Sequence, residues 1–236
     1  MLYIVAPAYN EEENIVSFIN DWYPVVEAHN EDGESRLVVI NDGSKDDTYK
    51  IAQAEADKKP LLTVIDKENG GHGATVLYGY RYAIEHGAKW IFQTDSDGQT
   101  DPKEFEKFWE KREEYDAILG WRNARKDGSS RVFVENVLRF ILFITFKVKV
   151  PDANAPFRLM KKELVEKYIK KLPEDFNLPN VMLTVYYAYF KEKLAFEQIS
   201  FAPRQGGKNS INFKRIIQIG KKAVSDFAKL KAEIND

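Results

Sequence analysis

The chain has 236 residues, 44% hydrophobic, 31% charged and 13% aromatic, enough for one sizeable core and too apolar for low-complexity disorder. Thirteen glycines, nine prolines and no self-similar period exclude collagen-like and repeat architectures, and the absence of cysteine excludes disulfides and thiolate metal sites. The net charge of −2 conceals two basic segments, net +5 over residues 122–150 and net +7 over 204–231, on an otherwise acidic chain. Basic segments on an acidic protein point to an anionic partner.

Met1-Leu2-Tyr3-Ile4-Val5 is apolar at once with no basic leader, so it does not read as a signal peptide. The longest largely apolar run, 140–146, is far short of the roughly 20 residues a spanning helix needs. With no cysteine, these features fit a cytoplasmic protein, with peripheral contact at the cytoplasmic face of a membrane as the further expectation.

In chain order, 2–6 reads as a buried strand stopped by Pro7, and 11–28 as a helix through Ile15, Phe18, Ile19 and Trp22. A strand at 36–40 runs into the turn Asn41-Asp42-Gly43-Ser44, and a helix over 45–57 takes Ser44 as its N-cap. Then follow a strand at 61–65, a helix at 70–85, a strand at 89–93, a helix at 102–113 and a strand at 116–120. This alternation predicts an α/β domain with a mostly parallel sheet and helices on both faces. Ligands of such sheets sit beyond the carboxyl ends of the strands, which singles out the loops 7–12, 41–47, 66–73, 95–101 and 121–125. The second half is less regular: helices near 132–146, 161–171 and 181–190, a loop at 151–156, a strand near 194–201, and a basic amphipathic helix from about 213. The expected division is a domain over 1–210 and a basic helical extension over 211–236.

The strongest chemical signal is Asp95-Ser96-Asp97 at the end of an apolar strand. In extended chain, residues two apart point the same way, so the two carboxylates can converge on one hard cation. An EF-hand fails, because its obligatory sixth-position glycine is Thr100 here. Before this motif come Pro7-Ala8-Tyr9-Asn10-Glu11, Asn41-Asp42-Gly43-Ser44-Lys45-Asp46-Asp47-Thr48 and Asn69-Gly70-Gly71-His72-Gly73-Ala74. In that order, the four motifs resemble the inverting family 2 glycosyltransferases, over about residues 2–125 and more weakly to about 210.

The resemblance implies a GT-A fold with Pro7, Tyr9 and Glu11 at the nucleotide base and ribose, and Asp42 beside them. It implies Mg²⁺ or Mn²⁺ held by Asp95 and Asp97 against the diphosphate of a UDP- or GDP-linked sugar. Gly71 falls in the glycine loop of the nucleotide-sugar site, and Arg122 matches a G-x-R segment near the phosphates. His72, in the same loop, could donate to a phosphate or serve as a passive hydrogen-bond partner.

Asp152-Ala153-Asn154-Ala155-Pro156-Phe157-Arg158 resembles a D-x-x-x-G-F-R segment of the polyprenyl-phosphate-using group akin to dolichol-phosphate mannose synthases, with Pro156 in place of the glycine. Arg204-Gln205-Gly206-Gly207-Lys208-Asn209-Ser210 resembles that group's R-x-x-G-x-S loop, so Arg204 and Lys208 are expected on phosphate. A hydroxyl acceptor needs a general base, for which Asp152 is the first candidate and Asp175 the rival; an ionised phosphate acceptor needs none. The segment 132–146 reads either as a core helix or as a helix at a membrane interface. The expected activity is metal-dependent sugar transfer to a polyprenyl phosphate. The alternatives are a saccharide acceptor, a sugar-phosphate nucleotidyltransferase, or a degenerate nucleotide-sugar-binding module. Nucleic acid is not an expected partner, since no recognition motif is present.

Overall fold

The computed structural model describes residues 1–31, 33–122, 129–203 and 222–232. Strand β1 (Leu2–Ala8) is buried along its whole length. Leu2, Ile4, Ala6 and Ala8 belong to one hydrophobic cluster, Tyr3 and Val5 to the other. Successive strand side chains point to opposite faces, so a strand covered on both sides reads as an unbroken apolar run.

The elements that follow are α1 (Ile15–Ala28), β2 (Arg36–Asp42), α2 (Thr48–Ala56), β3 (Leu62–Lys67), α3 (His72–Glu85) and β4 (Trp90–Thr94). After a 3₁₀ turn (Pro102–Glu104) come α4 (Glu106–Trp109), β5 (Ala117–Arg122), α5 (Ser129–Phe146), β6 (Phe157–Lys161), α6 (Lys162–Ile169), α7 (Pro179–Tyr189) and β7 (Leu194–Ile199). The seven strands form one sheet in the order β3-β2-β1-β4-β6-β5-β7. All neighbouring pairs are parallel except those made by β6, which is antiparallel to both β4 and β5. The predicted α/β plan is therefore observed.

One face of the sheet is covered by α1, α2 and α4, the other by α3, α6 and α7. Trp22 of α1, 1% exposed, lies 5.2 Å from the Phe92 ring and 5.8 Å from Phe157, and Phe92 meets Phe105 and Phe157 edge-on at 5.0 and 4.7 Å. Edge-on aromatic pairs each add about 0.5–1.5 kcal/mol beyond area burial, so this cluster pins α1 and the 105–109 turn to the strands.

The structure departs from the sequence reading at three places that matter for the site. Helix α2 begins at Thr48, three residues later than expected, and its N-cap Asp47 makes no side-chain cap bond. Ser44 is thereby released from capping. It donates to Asn41 Oδ1 at 2.5 Å and accepts from the Asn10 amide at 2.9 Å. The helix expected over 102–113 shrinks to the 3₁₀ turn and the short α4, held by the buried Phe105 and Phe108.

Strand β6 was not expected. Its five residues contain the fully buried Arg158, which hides the strand from any hydropathy reading. Because β6 runs opposite to its neighbours, its beginning lies at the rim where β1–β5 and β7 end. The loop 151–156 is thereby carried to that rim.

Helix α5 gives one edge to the core and leaves apolar side chains exposed on another. Leu142 and Phe146 are buried, whereas Phe140 is 63% and Ile144 53% exposed. Residues 222–232 are helical, and Phe227 packs on Phe146 with ring centroids 6.1 Å apart. The expected boundary at 210/211 lies outside the described residues.

Candidate active site

The first two rim loops are stitched into one platform. Asn10, held at φ 53°, accepts the Lys45 amide on its side-chain oxygen at 2.8 Å while its own amide donates to Ser44. The Glu11 amide donates to Thr48 Oγ1 at 2.8 Å, and the Asp47 amide donates to Glu12 at 3.1 Å. Glu11 itself is buried and accepts from Asn14 Nδ2 at 2.7 Å. Pro7 is buried at the end of β1, and Tyr9 is half-buried on the platform.

Asp42, 3% exposed, is the hub of the next loop. Its Oδ1 accepts from Lys67 Nζ at 2.5 Å and the Gly70 amide at 2.8 Å, and its Oδ2 accepts from the Gly71 amide at 3.0 Å. Asn69 Nδ2 donates to its backbone carbonyl at 2.7 Å. Gly71 adopts φ 85°, the left-handed region that glycine enters without strain, and turns the chain into α3. Asp42 therefore shapes the glycine loop from within. Lys67, which neutralises it, carried no motif signal in the sequence.

The two aspartates of the Asp-x-Asp segment flank a buried Ser96, whose hydroxyl donates to the Pro7 carbonyl at 2.8 Å. With Ser96 turned inward onto β1, Asp95 and Asp97 stand half-buried at the open rim. Asp95 Oδ1 accepts from Gln93 Nε2 at 3.1 Å and lies 3.8 Å from His72 Nε2, the half-exposed first residue of α3. Asp97 Oδ1 accepts from the Gln99 amide at 3.2 Å. Gln99 in turn pairs with Ala202, donating from Nε2 at 2.8 Å and accepting the Ala202 amide on its carbonyl at 2.8 Å. The segment after β7 is thus fastened beside the Asp-x-Asp loop. Among the described residues, no cluster of three or more His, Asp or Glu side chains forms a closed metal cage.

Two residues expected in separate roles are found together. Arg122 donates from Nε to Asp152 Oδ2 at 2.7 Å and from Nη2 to Oδ1 at 3.0 Å, with side chains 7% and 1% exposed. The Asn154 amide also donates to Asp152 at 3.0 Å, and the guanidinium lies over the Phe201 ring at 5.0 Å. Arg122 and Asp152 thus lock the end of β5, the 151–156 loop and the segment after β7 into one unit. Asp175 is exposed in the loop between α6 and α7. The next two residues of that loop press their carbonyls on Gly73, where a Cβ would come within 2.3 Å of the Phe176 oxygen. Arg204 and Lys208 lie outside the described residues.

Sequence reasoning missed the polar residues behind this rim. Gln93, Asn180, Thr184 and Arg158 are all buried. Arg158 donates to the carbonyls of Ala153, Ala155 and Asn180 and to Thr184 Oγ1, at 3.0–3.3 Å. Burial pushes its proton affinity below that of an ordinary arginine, while Tyr80, Tyr187 and Asp152 act the other way. The signal that could have found these residues is an amide side chain inside an otherwise largely apolar run, Gln93 in Trp90–Thr94 and Asn180 in Pro179–Tyr189.

A seven-stranded, mostly parallel sheet with carboxylates gathered at its open rim is the GT-A plan of glycosyltransferases. The family model "Glycosyl transferase family 2" matches residues 3–169, so the chain belongs to that family and is a glycosyltransferase. A UDP-N-acetylglucosamine–dolichyl-phosphate N-acetylglucosaminyltransferase of Methanococcus voltae is 26% identical over 186 residues, covering 70% of this chain and 71% of the relative. A dolichyl-phosphate beta-glucosyltransferase of Dictyostelium discoideum is 29% identical over 194 residues, covering 72% of this chain and 57% of the relative. Among solved structures, glucosyl-3-phosphoglycerate synthase of Mycobacterium tuberculosis, in complex with Mn²⁺ and UDP-glucose, superposes with a TM-score of 0.71 at 15% identity. That match covers 98% of this chain and 79% of the other.

Proposed function

We propose that this glycosyltransferase takes a sugar from a UDP- or GDP-linked donor and delivers it to a polyprenyl phosphate, with Mg²⁺ or Mn²⁺ at Asp95 and Asp97. The observation that carries this reading is the Asp-x-Asp pair at the open rim, its intervening Ser96 fastened inward onto Pro7. Two hard-oxygen donors without a closed cage suit an ion that completes its shell with phosphate oxygens and water. When bound, the ion supplies charge neutralisation for the departing nucleoside diphosphate. The fold neighbour's Mn²⁺ and UDP-glucose support the same choice of cofactor and donor class.

This chain's own residues bind and orient. Pro7, Tyr9 and Glu11 form the platform for base and ribose. Asp42 acts on the donor through the glycine loop, holding Gly71 so that α3 starts at the rim beside Asp95. A helix beginning there directs its unpaired amides toward an anion. Arg122 contributes by holding Asp152 rather than as a loose phosphate ligand. Arg204 and Lys208 supply further cationic contacts to phosphate.

The Arg122–Asp152 pair supports the phosphate acceptor. With both carboxylate oxygens engaged and the side chain buried, Asp152 is poorly placed to take a proton from a hydroxyl. A phosphate acceptor is already ionised and needs no such base. The named dolichyl-phosphate relatives agree with this choice. A saccharide acceptor is the second reading, favoured by the exposed Asp175 on the loop that touches Gly73; Asp175 would then be the base.

A lipid acceptor calls for contact with a membrane surface, and α5 has the composition for it. Phe140, Phe143, Ile144 and Val137 are exposed along it, with Lys147 and Lys149 both within 6 Å of the Phe143 ring. Apolar residues edged by cations are the pattern of an interfacial helix. Among the described residues, no helix is long and apolar enough to cross a membrane.

The test is a donor screen across UDP- and GDP-sugars with Mn²⁺, with and without polyprenyl phosphate. Product that depends on the lipid phosphate and disappears in Asp97→Ala is expected. Equal donor binding with and without the metal would defeat the assignment. Activity on a saccharide that is lost in Asp175→Asn would transfer the conclusion to the second reading.

A further inference from the structure

Behind Asp95 runs a chain of buried polar groups that packing alone does not require. Tyr80 of α3 donates its hydroxyl to Asn180 Oδ1 at 2.8 Å. Asn180, in the first turn of α7, donates from Nδ2 to Gln93 Oε1 at 2.9 Å. Gln93, next to last in β4, donates from Nε2 to Asp95 Oδ1 at 3.1 Å. Tyr80 and Gln93 are fully buried and Asn180 is 3% exposed, so water offers these groups no alternative partner.

The direction of the chain follows from donor chemistry. Burial pushes the Tyr80 hydroxyl well above its ordinary titration range, so it remains protonated and donates. That donation fixes the Asn180 oxygen toward Tyr80 and its amide nitrogen toward Gln93. The Gln93 oxygen is then committed to Asn180, and its nitrogen faces Asp95. The Asn180 backbone is held as well, its carbonyl accepting from Arg158 Nη1 at 3.0 Å and from Thr184 Oγ1 at 2.8 Å. Neither amide can rotate without stranding a buried group.

We propose that Tyr80, Asn180 and Gln93 are positioning residues that fix the orientation of the Asp95 carboxylate and so set the affinity of the rim for a divalent ion and nucleoside diphosphate. This rests on the assignment of Asp95 and Asp97 as metal-holding residues. Hydrogen bonds that orient a metal-binding side chain are worth roughly 10–100-fold in metal affinity. A carboxylate turned away from the ion loses a donor, while the platform for base and ribose is untouched.

The test uses the full chain with Mn²⁺ as the probe. Affinity is read from the electron paramagnetic resonance signal of free Mn²⁺ in the presence of UDP, and UDP binding in EDTA is measured by calorimetry. Gln93→Met should weaken Mn²⁺ binding by about tenfold. Tyr80→Phe, two bonds further back, should weaken it less, and UDP binding in EDTA should stay as in the unmutated protein. A folded Gln93→Met with unchanged Mn²⁺ affinity overturns the proposal. So does an equal loss of metal-free UDP binding, which would mark a merely structural role. Should Gln93→Met fail to fold, Tyr80→Phe removes a single hydroxyl and decides by the same readings. If the unmutated protein takes up no Mn²⁺, the metal assignment itself falls and the proposal with it. Mn²⁺ uptake by the unmutated chain that the variants leave unaltered removes the proposal alone.

Discussion

Replacing Asp152 by alanine isolates the lock at the rim. The change strips both carboxylate oxygens from Arg122, whose side chain is only 7% exposed, and leaves the Asn154 amide without that acceptor. Breaking a buried pair by removing one partner costs about 3–5 kcal/mol, because the remaining charge is uncompensated. For a chain of this size each kcal/mol moves the melting point by about 2–4 °C, so a drop on the order of 10 °C is expected. Asp152→Asn keeps one acceptor oxygen and should lose roughly half as much, in line with the value of a hydrogen bond to a charged group. Arg122→Met combined with Asp152→Leu removes both charges and should recover most of the stability, since hydrophobic replacements of buried pairs are often neutral. Urea unfolding followed by tryptophan fluorescence supplies the double-mutant cycle, with an expected coupling above about 1 kcal/mol. Additive single-mutant effects, or an Asp152→Ala loss below about 0.5 kcal/mol, would refute the lock.

Gly73→Ala places a Cβ within 2.3 Å of the Phe176 carbonyl, so the loop must move. A loss of about 1–3 kcal/mol is expected in thermal unfolding, typical of overpacking, together with weaker donor binding at the α3 terminus. Asp116 ties β5 to Lys161 at 2.9 Å and to the Lys193 amide at 3.2 Å. Burial alone would raise its carboxyl, but these two donors outweigh it and hold the group below the ordinary carboxylate range. A depressed native value stabilises the fold above the ordinary value of about 3.9, and that stability is lost as pH falls through the native one. Asp116→Asn should therefore cost under about 1 kcal/mol at neutral pH, given its partial exposure, and the gap in urea midpoints should close below about pH 4. Phe140→Asp with Ile144→Asp should leave stability within about 0.5 kcal/mol, because both side chains are exposed. The same double variant should abolish co-sedimentation with anionic liposomes; undiminished binding would remove α5 as the membrane-facing element.

Much of the rim could be read without coordinates because its parts are local. Asp95-Ser96-Asp97 follows directly on the apolar strand β4, so its place at the rim is legible from the sequence. Gly71 stands where the chain must turn into a helix, and the apolar runs of the first five strands announce themselves. Strand β6 could not be read in this way. A strand built around Arg158 has no apolar signature, and its burial is tolerable only because three carbonyls and a hydroxyl from two other elements converge on the guanidinium.

The same limit applies to partner choice. Arg122 and Asp152 are thirty positions apart, and each has a plausible separate task until the antiparallel β6 brings its preceding loop to the end of β5. For Asp42 the motif gives no sign of Lys67, Gly70 and Gly71, which the tertiary structure closes on its carboxylate. The amino-acid order by itself determined the sheet-forming runs, the family and the carboxylates at the rim, since those depend on periodicity and on neighbours a few residues apart. Tertiary structure alone decided which charges neutralise one another and which way a buried amide faces. Such pairings are set by the requirement that every desolvated polar group find a partner in space, and that requirement takes no account of distance along the chain.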